Sequence, residues 1–422
     1  MKNWRITLFT KKLVLNPLFS GSAIMIFGSN FANAIAYLYH LVVGRILGPS
    51  LYGELSSVIS LLGLIFAAFG FLGLVIVKFI SSADENDISS IYFWFIDKAI
   101  KIGILLSAIL LVLTPFLSNF LHIEKSIILL LVPLMFIAVI SFVLRSYLQG
   151  LMKFTQVVIA NNLDLGLRLL LGITFIYLGL KVFGAVLGLV VSMIISLIYL
   201  KINSSKLVKV KNVRPFKASN EVFKFAIPVF ITSIATNSIF STDVLLVKHY
   251  FSAYDAGIYS SLSTLGRIIF YGAGPISAVM FPMVSKKYSE KNDYSKIFKL
   301  SFLLTSALVF GVVFIYWVAP ELTVKVLYGE KYLEAAKLLV NFALFMALFT
   351  LSSLLINFFL SIEKYKAIYI VTISAILQII GISIIHDSLD SVILVSISVS
   401  FIMLVGLLIL LNYELRKTRI SR

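Results

Sequence analysis

Asp164 and Arg168 stand four residues apart in an otherwise apolar run, with Asn161 three residues before the aspartate. At helical spacing the three share one face. Arg267 stands in a second apolar run, on a face with Ser260, Thr264 and Tyr271, and no acid lies within a turn of it. The arginine guanidinium is a planar fork of donors that matches phosphate oxygens. These positions are therefore suited to holding an anion. An ion surrounded by hydrocarbon costs a few kcal/mol or more, so each should face protein or a watery cavity. For Asp164 and Arg168 two readings stand: cavity lining, or an i, i+4 pair that neutralises itself. Arg145 shares a further face with Gln149. It either meets an entering anion or snorkels to lipid headgroups.

Uncharged polar residues form a second set. Asn30, Asn33, Tyr37 and His40 make one continuous stripe, and Ser233 and Asn237 stand in a later run, followed by Asp243. Such stripes line cavities, or they serve as inter-helix glue worth about 0.6 kcal/mol per bond. His40 alone reads better as a structural histidine. Asp164 and Asp243 are the carboxylates that H⁺ or Na⁺ coupling would use; no other cofactor is expected. Enzyme chemistry finds little support. There is no GxxxxGK[ST], HExxH or GxSxG, no cysteine, and His40, His122, His249 and His386 lack metal-ligand spacing. A membrane glycosyltransferase would need acids in a sizeable outer loop, and the largest, near 320–334, offers Glu321, Glu330 and Glu334 without paired aspartates.

The elements that must position these groups follow from composition. Of 422 residues, 60% are hydrophobic and 13% charged, and the mean hydropathy is +1.03. So few charges cannot clothe a water-soluble surface. At roughly 20 apolar residues per crossing, the sequence divides into twelve spans, near 20–45, 55–80, 96–118, 126–149, 155–178, 183–201, 222–247, 256–282, 297–319, 335–361, 366–385 and 391–412. The start has signal-peptide features, but its apolar run continues past Ala32-Asn33-Ala34 to Val43, which makes it an uncleaved first helix. Asp97 and Lys101, beside Tyr92, Phe93, Trp94 and Phe95, read as an interfacial entry to the third span. Gly272-Ala273-Gly274-Pro275 reads as a hinge in the eighth. Arg45 and Lys248 read as outer-surface anchors.

The net charge is +17. Its basic residues cluster between spans, as in loops facing anionic lipid, and nucleic acid is not an expected partner. Alternate loops concentrate Lys2, Arg5, Lys11 and Lys12, then Lys201 to Lys217, Lys286 to Lys299, and Arg416 to Arg422; the opposite side holds only Lys125, Lys181, Lys325, Lys331 and Lys337. Both termini are thus expected in the cytoplasm of a cell-membrane protein.

The basic stretch around Lys201 to Lys217 divides the chain into a six-helix lobe (1–202), a cytoplasmic linker (203–218) and a second six-helix lobe (219–422). A shift of 204 positions matches Ser29 to Ser233, Asn33 to Asn237, Gly53 to Gly257, and Ser56 and Ser57 to Ser260 and Ser261. At a slightly larger offset, Lys153-Phe154 falls on Lys364-Tyr365. An even number of helices per half implies lobes related by an axis along the membrane normal, with the cargo path between them.

Three segments carry a resemblance: Gly44-Arg45-Ile46-Leu47-Gly48-Pro49-Ser50-Leu51-Tyr52-Gly53; Phe225-Ala226-Ile227-Pro228; and Asp243-Val244-Leu245-Leu246 with Ala256-Gly257-Ile258-Tyr259. Together with the six-plus-six layout they resemble the polysaccharide transporter (Wzx-like) family of lipid-linked oligosaccharide flippases. Its superfamily (MOP) also holds lipid II flippases and MATE multidrug exporters. The resemblance implies an all-α, MATE-like fold, alternating access without nucleotide hydrolysis, and an undecaprenyl- or dolichyl-pyrophosphate-linked glycan as cargo. Glycan-assembly membrane proteins and membrane lipids are the implied partners. On that reading Arg267, Arg168, Arg145, Asn33, Asn237, Asn30, Tyr37 and His40 receive the pyrophosphate and sugars. An ion-coupled drug or metabolite exporter of the same fold is the alternative, and a non-transporting assembly scaffold a third reading. An exporter of organic cations would place acids where these arginines stand.

Overall fold

A chain this apolar must satisfy its backbone groups internally, and helices do so within one segment. The computed structural model describes residues 17–83, 85–208 and 220–420, and among them every regular element is helical. In chain order the helices are α1 (Pro17–Ser82), α2 (Glu85–Leu121), α3 (Lys125–Gly150), α4 (Phe154–Phe175), α5 (Lys181–Ser205) and α6 (Asn220–Tyr250). They continue as α7 (Ala253–Ser289), α8 (Ser295–Val318), the short α9 (Pro320–Leu327), α10 (Ala336–Ser361), α11 (Ala367–Ile384) and α12 (Leu389–Ile420). Ten stretches of the described residues are long and apolar enough to cross a bilayer.

Two of those stretches are each broken once. α1 departs from helical geometry at Gly48, with φ 73°, immediately before Pro49. Glycine takes a positive φ without a Cβ penalty, and proline then restarts the helix without an amide donor. The sequence suggests a loop across 46–54; the chain instead turns at one residue. Between α4 and α5 the π-turn Ile176–Leu180 contains Gly179 at φ 88°. The segment near 320–334, expected as an outer loop, holds α9 and a 3₁₀ turn (Glu330–Ala335). Lys325 and Glu330 pair there at 2.8 Å. α7 runs through Pro275 as one helix. The Asp97–Lys101 pair forms at 2.8 Å with both side chains exposed.

Two compact units emerge. One comprises the described residues up to Ile46 with Phe69–Ala226; the other comprises Leu47–Ala68 with the described part of Ile227–Arg422. Residues 209–219, which include most of the expected linker, lie outside the described residues, as do Lys2, Arg5, Lys11 and Lys12. In the first unit α4 packs along α5, and α3 against α2 and α5. In the second, α10 is the central helix, against α7, α8 and α12. Its Phe342, Phe345, Phe349, Phe358 and Phe359 are all fully buried.

The internal repeat has a structural counterpart. The turn after α3 places Met152 at φ 57°, and the turn after α10 places Glu363 at φ 57°. In the first, the Lys153 amide donates to the Leu148 carbonyl at 2.8 Å; in the second, the Lys364 amide donates to Phe359 at 2.9 Å. Both are six-to-one helix terminations of the Schellman kind, and they occur at the matched Lys-aromatic positions.

The repeat-matched glycines Gly53 and Gly257 meet within the second unit. A Cβ on Gly53 would lie 2.7 Å from the Gly257 backbone nitrogen, and one on Gly257 would collide with the Pro49 carbonyl. Beside them Tyr52 hydrogen-bonds Thr264 (2.9 Å) and Tyr328 (3.0 Å). Gly257→Ala is therefore expected to destabilise the chain by about 1–3 kcal/mol, since backbone gives way less readily than a side chain. Gly166→Ala, with nothing within 4 Å of the added methyl, is expected to be neutral or mildly stabilising. Thermal unfolding of both purified variants checks the pair. Equal midpoints would refute the close packing.

Candidate functional site

The first unit gathers its polar groups around one carboxylate. Asp164 on α4 is 4% exposed. Arg168, one turn on, reaches it at 3.4 Å, and Arg145 on α3 reaches it at 3.3 Å. Ser192 on α5 donates to Asp164 at 3.0 Å. Arg145 also donates to Asn161 and to Ser196, the latter at 3.1 Å. The Nε atoms of both arginines are buried with no hydrogen-bond partner among the described residues. Two guanidiniums share one carboxylate, so the cluster carries a net positive charge and two uncommitted donors.

Of the two readings of Asp164 and Arg168, the i, i+4 pair forms, with Arg145 as a second cation on the same carboxylate. Arg145 does not snorkel to lipid; its carboxylate and serine partners turn it inward. Sequence reasoning missed that convergence, along with Ser192 and Ser196. Their one local signal is a pair of serines four residues apart on α5.

In the second unit Arg267 on α7 is half-buried. Its guanidinium lies over the Phe240 ring, 4.4 Å from the centroid, and donates to the Phe240 carbonyl at 3.1 Å. Its Nε has no hydrogen-bond partner, and no carboxylate stands within salt-bridge distance among the described residues. Asp243 is 1% exposed. It accepts hydrogen bonds from the Tyr259 hydroxyl (2.8 Å) and the Val244 amide (2.8 Å). Tyr259 belongs to the segment that, with Asp243, carries the family resemblance; that pairing is the signal that could have found it. Phe240 had no such signal.

The remaining candidates are dispersed. On the Arg267 face, Ser260 and Thr264 are buried and donate to carbonyls of their own helix, while Tyr271 is exposed. Asn30 and Asn33 are exposed, and Tyr37 and His40 half-buried. His40 packs edge-on against Tyr39. Asn237 donates to the Ser233 carbonyl of its own helix at 2.9 Å, the local bond typical of polar residues within helices. Lys248 is not the surface anchor expected, being 2% exposed, whereas Arg45 is exposed. No group of three or more metal-ligating side chains occurs among the described residues.

A family model described as polysaccharide biosynthesis protein matches residues 3–337. The chain belongs to this family. An uncharacterized membrane protein of Methanocaldococcus jannaschii is 26% identical over 279 residues, covering 61% of this chain and 65% of that protein. The chain thus spans just under two thirds of that relative's length. Its fold is similar to that of an inward-facing MATE-family multidrug resistance transporter of the MOP superfamily, with TM-score 0.73, 18% identity, and coverage of 91% and 94% of the two chains. It is similar also to the lipid II flippase MurJ in an inward closed conformation, with TM-score 0.74, 15% identity, and coverage of 92% and 87%. These likenesses show the fold alone, which, with ten helices among the described residues long and apolar enough to cross a bilayer, is that of a multi-pass membrane protein. They supply no cargo.

Proposed function

We propose that this member of the polysaccharide biosynthesis family is a flippase. It moves a polyprenyl-pyrophosphate-linked oligosaccharide from the cytoplasmic to the outer leaflet of a cell membrane. It does so by alternating access of two six-helix lobes, with both termini cytoplasmic and without enzymatic turnover of its own. Membership of the family supports a role in glycan assembly, with other membrane proteins of that assembly as partners. MurJ shows that the fold serves a lipid II flippase.

The observation that carries the cargo assignment is the sign of the charge held within the spans. Arg145 and Arg168 outnumber Asp164, and Arg267 has no carboxylate at salt-bridge distance among the described residues. A pyrophosphate cannot enter hydrocarbon unpaired, and unsatisfied guanidinium donors are suited to meet it. Asn30, Asn33, Tyr37, His40 and Asn237 supply hydrogen bonds for sugar hydroxyls. The test is a thermal-shift titration of the purified full chain. Undecaprenyl-pyrophosphate-linked glycan is expected to raise the unfolding midpoint and ethidium to leave it unchanged. The reverse result would overturn the cargo and favour a cation exporter.

Coupling to H⁺ or Na⁺ is assigned to Asp243. Asp164 is held by two guanidiniums and a serine, whereas Asp243 meets one hydroxyl and one amide. A carboxylate with neutral donors can exchange an ion at less electrostatic cost than one already paired. Asp243→Asn is expected to abolish the dependence of flux on an imposed ion gradient. Full retention of that dependence would exclude Asp243.

A further inference from the structure

The second unit contains a cavity of about 430 Å³ between α7, α8 and α10, within the range of roughly 300–1,000 Å³ common for ligand pockets. Phe270 and Phe281 contribute aromatic faces, and Ser277, Thr305, Ser353 and Asn357 contribute hydroxyl and amide groups. Among the described residues, no Asp, Glu, Lys, Arg or His lines it.

All but one of the hydroxyls here differ from those elsewhere in the helices. Ser57, Ser146, Ser260, Thr264 and Ser352 each donate to the carbonyl four residues earlier, and of the cavity's own hydroxyls Thr350 does the same. That is the usual way for a helical hydroxyl to satisfy itself in an apolar surrounding. Among the described residues, Ser277, Ser353 and Asn357 make no side-chain hydrogen bond. Thr305, 1% exposed, has a buried hydroxyl with no partner. An unpaired buried hydroxyl is costly, and four uncommitted polar side chains around one cavity point to a ligand that hydrogen-bonds.

The position narrows the ligand. Phe270 stands three residues beyond Arg267 on α7, and it contacts Phe240, the ring beneath the Arg267 guanidinium, at 5.1 Å between centroids. Over Phe270 to Phe281 the cavity extends away from Arg267 by about 5–20 Å along the helix. An anion would find no counter-charge among the described lining residues. An alkyl chain would leave its polar groups unpaired. An uncharged ring bearing hydroxyls on its edge and C–H groups on its faces would satisfy both the polar groups and the phenyl walls.

We infer that this cavity receives the uncharged sugar next to the pyrophosphate while Arg267 holds the phosphates. The inference rests on the flippase reading above.

The experiment measures binding of the full chain in nanodiscs to undecaprenyl pyrophosphate and to the same lipid carrying glucose, galactose or N-acetylglucosamine. At least one glycosylated lipid is expected to bind roughly tenfold tighter than the bare lipid, the equivalent of about two neutral hydrogen bonds. Thr305→Val with Asn357→Leu is expected to erase that preference and leave the affinity for the bare lipid unchanged. Arg267→Ala is expected to weaken all of them. Wild-type protein that binds bare and glycosylated lipids equally would overturn the inference but not the flippase reading. So would a double variant that keeps its preference, or one that tightens binding of the bare lipid and so marks the cavity as a tail site. Binding of none of the four overturns the flippase reading, and the inference with it.

Discussion

Asp164→Asn is expected to be severely destabilising, by about 3–5 kcal/mol, because it removes one partner of a buried ion network. The substitution preserves shape and an acceptor oxygen for Ser192. It leaves Arg145 and Arg168, whose side chains are 24% and 20% exposed, without a countercharge. Their mutual repulsion then acts across α3 and α4 at the level where α5 closes the cluster. Asp164→Glu should lose less, since charge is kept and only reach changes. Adding Arg145→Gln to Asp164→Asn should recover part of the loss, because one stranded cation is gone. Thermal unfolding in detergent, with yield of membrane-inserted protein as a second readout, measures all three. A wild-type midpoint for Asp164→Asn would show that the network contributes nothing to the fold.

The second large effect is on transport. Arg267→Ala is expected to lower flux of lipid-linked glycan at least about tenfold, the scale of one lost charge-assisted contact, with folding retained. The two variants differ because the arginines do. Asp164 needs its cations and they need it, whereas Arg267 directly contacts only a carbonyl and a phenyl face, so its removal breaks no ion pair. Arg267→Lys should retain intermediate flux, because the charge survives while the planar fork is lost. Loss of stability in Arg267→Ala comparable to that of Asp164→Asn would mark Arg267 as structural instead.

Local groups were legible in the sequence and distant ones were not. Asp97 with Lys101 and Asp164 with Arg168 are one helical turn apart, so spacing alone brings them together. The matched glycines Gly53 and Gly257 were visible as a repeat, though the repeat did not say that they touch. Arg145 reaches Asp164 from another helix, and Tyr259 reaches Asp243 likewise. Periodicity assigns each residue a face but cannot say which faces meet. The turn at Gly48 was unreadable for another reason. Gly-Pro signals a break in either case, and only the backbone shows that the helix resumes at once. The cavity left no mark, since Ser277, Thr305, Ser353 and Asn357 look like ordinary polar interruptions of apolar helices.

The cargo is tested most directly by transport in proteoliposomes that contain the purified chain, an ion gradient and no nucleotide. Undecaprenyl-pyrophosphate-linked oligosaccharide is loaded in the inner leaflet, and its arrival outside is read by accessibility to an added glycosidase. Vesicles with the wild-type chain should expose the glycan, while protein-free vesicles and those with Arg267→Ala should keep it protected. A wild-type chain that leaves the glycan protected but drives efflux of ethidium under the same gradient would contradict the account.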